Sequence, residues 1–116
     1  MQAPRHLHFA LEQHWLRHKR ILQMEAFMKI IKPSRAGSLE SNDIMIMLHP
    51  REEGIEVKLD SAVMKQFGKR IHAVILETLE SNDVTAVTVV ARDNGALDYT
   101  IKARVTTAVY RGGSHD

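Results

Sequence analysis

The stretch SAVMKQFGKRIHAVILETLESN, residues 61–82, decides the fold class. Val63, Phe67, Ile71, Val74, Ile75 and Leu79 recur at the three- and four-residue intervals that place side chains on one helix face, and Ser81-Asn82 stops the pattern. Asp60 or Ser61 supplies a capping oxygen at its start. Gly68 inside the helix costs ~1 kcal/mol relative to alanine, so a close approach of another backbone or of a partner is a reason for its presence. An amphipathic helix of this length must cover an apolar surface, and the segments on either side offer one in a different period.

Upstream, Asp43 to His49 reads as a strand rich in isoleucine and methionine, ended by Pro50. Glu52, Glu53 and Gly54 supply a turn, after which Ile55, Val57 and Leu59 alternate with Glu56, Lys58 and Asp60 as in a half-buried strand. These two strands are expected to pair as a hairpin. Downstream, Val84 to Ala91 is dense in valine and threonine, and Asp93-Asn94-Gly95 suits a tight reversal. Leu97, Tyr99, Ile101, Ala103 and Val105 then alternate with polar residues, although Leu97, Ile101, Val105 and Ala108 also fit a helix. The β-branched content and the preceding turn favour a strand.

The expected order is therefore strand, strand, helix, strand, strand, with a further helical turn near the C-terminus. One helix, or two, would cover one face of a sheet of about four strands, an α+β fold. Pro33-Ser34-Arg35-Ala36-Gly37 reads as a breaker, and residues 112–116 as a frayed tail.

Composition bounds what such a domain can be. The 116 residues suffice for one modest core, and 44% hydrophobic with 26% charged residues fits a soluble globular protein. No apolar stretch approaches the roughly 20 residues that a membrane span requires. Without cysteine there is no disulfide, no thiolate nucleophile and no thiolate zinc site, which fits a reducing cytoplasm, and any thioester chemistry needs an imported thiol. The pI of about 9.1 suggests a polyanion ligand at first sight. However, Arg5, Arg17, Lys19 and Arg20 against Glu12 and Glu25 supply the whole formal excess of +2, leaving the domain after Met28 neutral and nucleic acid disfavoured.

The segment 1–27 lacks the uninterrupted apolar region of a secretory signal, and its apolar spacing is imperfect for an amphipathic helix. We read it as an extension to a domain spanning 28–111. Met24-Glu25-Ala26 can be encoded by AUG GAG GCN, a purine-rich sequence placed where a bacterial ribosome-binding site would serve Met28, so translation is expected to start at Met28.

Few residues have the spacing that chemistry demands. His6, His8, His14 and His18 cluster, with two of them at i, i+4, but no HExxH pattern or further ligand set accompanies them, and His49 and His72 stand apart. There is no Gly-x-Ser-x-Gly elbow and no phosphate-binding glycine loop. Glu52-Glu53 sits in the expected turn, where solvation is the ordinary role. The chain is expected to be non-catalytic on its own, with no metal site and no catalytic residue.

One further segment, AGSLESND at 36–43, holds Ser41 in a triplet that by itself is a common turn or cap. Together with KQFG at 65–68 and GALDYTIKAR at 95–104, it resembles the acyl carrier (gamma) chain of citrate lyase, over residues from about 28 to 111. The resemblance implies a carrier subunit whose serine, here Ser41, bears phosphoribosyl-dephospho-coenzyme A through a phosphodiester. The terminal thiol of that arm would carry acetyl and citryl thioesters while citrate is cleaved to oxaloacetate and acetate. It further implies as partners the citrate lyase alpha (transferase) and beta (lyase) chains and the transferase that installs the group. Glu40 and Asp43 flank the serine and would orient the loop, assist attachment or keep the loop in water. The chain departs from the family pattern at Ser38, where threonine is frequent, at Asn42, where a small residue is usual, and at Tyr99, where cysteine is. The carrier subunit of malonate decarboxylase, which uses the same type of arm, is the nearest alternative, and a plain α+β binding module with a basic N-terminal segment the next.

Overall fold

The computed structural model describes residues 28–114. They form strands β1 (Ser34–Gly37), β2 (Ile44–His49) and β3 (Gly54–Ser61), helix α1 (Met64–Ser81), strand β4 (Ala86–Asp93) and helix α2 (Asp98–Gly112). The strands make one mixed sheet in the order β1-β2-β4-β3, with β2 antiparallel to both β1 and β4, and β3 parallel to β4. This is the expected α+β arrangement of four strands with helices on one face.

Period-2 patterning fixes that face. Ile44, Ile46 and Leu48 of β2 and Val87, Val89 and Ala91 of β4 point inward and are buried, and they meet Ile71, Val74, Ile75 and Leu79 of α1 and Ile101, Val105, Ala108 and Val109 of α2. Burying each valine, leucine or isoleucine of this set contributes about 1.5–3 kcal/mol, so this layer supplies most of the driving force. On the opposite face Met45, Met47, Thr88 and Val90 are half-buried among exposed Arg35, Glu56, Lys58 and Arg92.

Three expectations about connectivity are corrected. First, β2 and β3 do not form a hairpin, because β4 lies between them. The chain passes from β3 through α1, which returns it to the start of the sheet, so β4 runs parallel to β3 and its valine-rich strand takes a central place. Secondly, 97–105 is not a strand but the beginning of α2. A strand would put Leu97, Tyr99, Ile101, Ala103 and Val105 on one face, yet Leu97 and Tyr99 are 60% and 71% exposed while Ile101 and Val105 are wholly buried. The i, i+4 pattern wins because it gives Ile101, Val105, Ala108 and Val109 one buried face. Thirdly, the fourth strand is β1, from the segment read as a breaker, and the hairpin of the fold is β1–β2.

The ends of the elements follow local chemistry. Ser61 Oγ accepts the Val63 N–H at 3.0 Å before α1, and Asn82 Nδ2 donates to the Thr78 carbonyl where it stops. Helix α2 runs through Gly112, and Gly113 and Ser114 are tied to the segment before β1 by an isolated bridge to Ile30 and a hydrogen bond to the Lys29 carbonyl, where the sequence reading placed the start of a frayed tail. Residues 115 and 116, and the whole extension 1–27 with its four histidines, lie outside the described residues.

Candidate functional site

The β1–β2 connection, residues 38–43, is the loop that carries Ser41. Gly37 enters it at φ 96, where an added Cβ would run into the Ile44 carbonyl, so the close pass of the two strands requires glycine here. The Asp43 N–H donates to the Glu40 carbonyl at 3.1 Å, closing a four-residue reversal with Ser41 and Asn42 at its centre. Asn42 has φ 63, a left-handed conformation that asparagine and glycine tolerate best.

Asp43 anchors the loop. Its carboxylate accepts hydrogen bonds from Ser38 Oγ at 2.6 Å, the Ile44 N–H at 2.7 Å, and Nε and Nη2 of Arg104 at 2.9 and 3.1 Å. The paired Arg104 bonds, with help from Ser38 and the Ile44 amide and against the opposing effect of burial, hold the Asp43 pKa down at about 2. One turn of α2 is thereby clamped to the loop.

A second strut comes from the β4–α2 connection. The Asn42 N–H donates to the Asn94 carbonyl at 2.7 Å, the Asn94 N–H donates to the Asp43 carbonyl at 2.9 Å, and Asn94 Nδ2 reaches the Leu39 carbonyl at 3.3 Å. Asn94 is in turn positioned by Asp93, a buried carboxylate that accepts from Ser61 Oγ at 2.7 Å and from the Gly95 and Ala96 N–H groups at 3.0 and 2.9 Å. Those last two bonds steer the chain out of the sheet into α2, where the sequence suggested a hairpin. The loops 38–43, 61–63 and 93–97 thus meet at one end of the sheet, the end at which both helices begin.

Within this frame the two serines of SLES have opposite fates. Ser38 Oγ is committed, donating to Asp43 and accepting the Glu40 N–H at 3.2 Å. Ser41 is exposed at the apex, and among the described residues its hydroxyl has no hydrogen-bond partner. Glu40 is also exposed, with its carboxylate unpaired among the described residues, whereas Asp43 faces inward with its side chain 13% exposed. The two acidic neighbours of the serine therefore differ in role: Asp43 shapes the loop, and Glu40 faces solvent. Sequence reasoning missed Arg104, Asp93 and Asn94. Arg104 ends the GALDYTIKAR segment, but its partner is 61 positions away, and Asp93-Asn94 passed as turn residues.

The turn thus leaves the Ser41 hydroxyl accessible to solvent. Among the described residues no cluster of three metal-ligating side chains occurs, and no helix is long and apolar enough to cross a membrane.

Comparison with known proteins decides the family. The citrate lyase acyl carrier protein of Latilactobacillus sakei is 52% identical over 85 residues, covering 73% of this chain and 84% of its own. This chain belongs to the family of citrate lyase acyl carrier proteins. The carriers of the same description from Streptococcus uberis and Streptococcus mutans are 52% and 54% identical, covering 77% and 72% of this chain and 88% and 83% of theirs. An acyl carrier family described as malonate decarboxylase delta subunit (MdcD) matches residues 31–112. In fold, the chain is similar to one from a Pseudomonas malonate decarboxylase hetero-tetramer solved in complex with malonate, with TM-score 0.65 and 17% identity over 76% of this chain and 91% of that one. Members of this family are non-catalytic subunits of a larger complex and carry a covalently attached prosthetic group.

Proposed function

We propose that this chain is the acyl carrier subunit of citrate lyase and that Ser41 Oγ bears its prosthetic group, phosphoribosyl-dephospho-coenzyme A, through a phosphodiester. The observation that carries the assignment of the serine is the unpartnered, exposed hydroxyl of Ser41 beside the fully engaged hydroxyl of Ser38. When attached, the group supplies the terminal thiol that a chain without cysteine lacks.

The rest is the work of the chain's own residues. Attachment forms a bond from Ser41 Oγ to phosphorus, releases the hydroxyl proton and expels the leaving group of an activated phosphate donor. Ser41 Oγ presents its lone pairs to solvent, and the Asn42, Asp43 and Asn94 backbone bonds keep the turn from collapsing onto it. Asp43 is already saturated by Arg104, Ser38 and Ile44, so it positions the loop and takes no proton. Glu40 keeps the apex hydrated. A rigid platform with a long flexible tether raises the effective concentration of the acyl group at successive active sites, which is the carrier's contribution to cleavage of citrate.

The partners in this reading are the citrate lyase alpha and beta chains and the transferase that installs the group, in the cytoplasm. The malonate decarboxylase carrier is the second reading, favoured by the family description and the fold match; 52% identity to citrate lyase carriers outweighs it. The test is in vitro loading by the citrate lyase prosthetic-group transferase. Ser38→Ala should still accept the group and Ser41→Ala should accept none, while a Ser41→Ala variant that loads would refute the assignment.

A further inference from the structure

Helix α1 carries its charges in the order that a helix disfavours. Lys65, Lys69 and Arg70 all precede its first acidic residue, Glu77; its first turn holds no acidic side chain and its last turn no basic one. The free N–H groups already make that end positive, so cations there cost helix stability. Arg70 is compensated by an ion pair with Asp98 of α2. Lys65 and Lys69 are exposed and, among the described residues, have no ion pair.

The same half of the helix also leaves apolar surface in water, with Met64 40% and Phe67 51% exposed. Beside it runs an open groove of about 490 Å³ between β3 and α1, lined by Val57, Leu59, Met64, Gly68, Lys69 and His72. Gly68 is not demanded by backbone packing: a Cβ there would meet only the flexible end of Met64, at 2.5 Å from Sδ. Its absence lets Met64 lie across the helix backbone and form the groove wall. Unpaired cations, a mid-helix glycine and an exposed phenylalanine, all within KQFGK, each lower the stability of the isolated domain. Of these residues Gly68 and Lys69 line the groove, whose other wall is β3, the edge strand across the sheet from β1, and Lys65 stands exposed one turn before Lys69.

We propose that this groove and the adjoining α1 surface bearing Lys65 and Lys69 form the docking surface for an acidic, apolar-tipped surface on a catalytic chain of the complex. The inference rests on the citrate lyase reading above. Charge complementarity sets the occupant: acidic side chains compensate Lys65 and Lys69, which have no ion pair among the described residues, and an apolar tip packs against Val57, Leu59 and Met64 in the groove.

The experiment is titration of purified citrate lyase alpha and beta chains with the full-length chain lacking its prosthetic group, comparing wild type, Lys65→Glu/Lys69→Glu, Gly68→Ala and, as control, Arg35→Glu on the opposite sheet face. Binding by the double variant should weaken by roughly tenfold or more, with a shallower salt dependence, and its thermal midpoint should not fall, because the new charges suit the helix dipole. Gly68→Ala should weaken binding without losing thermal stability, and Arg35→Glu should bind as wild type does. Wild-type binding that the double variant retains within about twofold would overturn the proposal. Self-association of the wild type that the double variant abolishes would overturn it also, by naming a second copy as occupant. Wild-type protein that binds neither catalytic chain would refute the citrate lyase reading itself, and this inference with it.

Discussion

At the scale of single residues, the loop depends on charge and on one backbone conformation. Asp43 has its pKa held at about 2 against an ordinary 3.8, so the Asp43–Arg104 bonds contribute fully above the ordinary value and are lost as pH falls from there towards about 2. Arg104 is 41% exposed, which screens the pair, so on the order of 1–2 kcal/mol is expected from it. Asp43→Asn should therefore lower the thermal midpoint at neutral pH, and its difference from wild type should vanish as pH drops through 4 to 2, followed by calorimetry. Asn42 sits at φ 63. Asn42→Gly should leave stability and loading nearly unchanged, whereas Asn42→Val should cost about 1–2 kcal/mol, as measured by urea unfolding. Ser41→Ala should change stability by no more than about 0.5 kcal/mol in the same assay, since its hydroxyl makes no bond within the domain.

At the scale of elements, legibility depended on whether a segment's pattern had one solution. Helix α1 and strand β3 could be read from their apolar periods, and β2 and β4 from dense apolar or β-branched composition bounded by turn residues. Residues 97–108 satisfied both periods, and Asp93-Asn94-Gly95 served equally as a hairpin turn and as a helix entry built on the Asp93 carboxylate. Only burial separates them: Tyr99 is outside and Ala108 inside. Strand β1, with the sequence SRAG, has no strand propensity and owes its conformation to pairing with β2, a long-range cause that no local window contains. Two substitutions test the helix. Ile101→Ala should cost about 2–4 kcal/mol by creating a cavity, and Tyr99→Ser should change unfolding free energy by less than about 0.5 kcal/mol; equal costs would favour the strand.

At the scale of the whole molecule, the fold gathers the Ser41 loop and the residues that brace it at one end. Strand ends, helix starts and the three connecting loops meet there, leaving the rest of the domain to provide rigidity. The serine could be singled out in the sequence only through its family resemblance, because Ser-Asn-Asp is ordinary turn chemistry. The struts that make it a platform, Arg104 and Asn94, were illegible because each is joined to the loop across more than fifty positions. For the extension 1–27, which lies outside the described residues, we propose that translation in the native host starts at Met28, so that N-terminal peptides from native protein should begin there. The most direct measurement is the intact mass of the chain purified from its native host growing on citrate, with fragmentation to locate any adduct. The account predicts one phosphoribosyl-dephospho-coenzyme A on Ser41; an unmodified chain from an active citrate lyase complex, or the group on another residue, would contradict it.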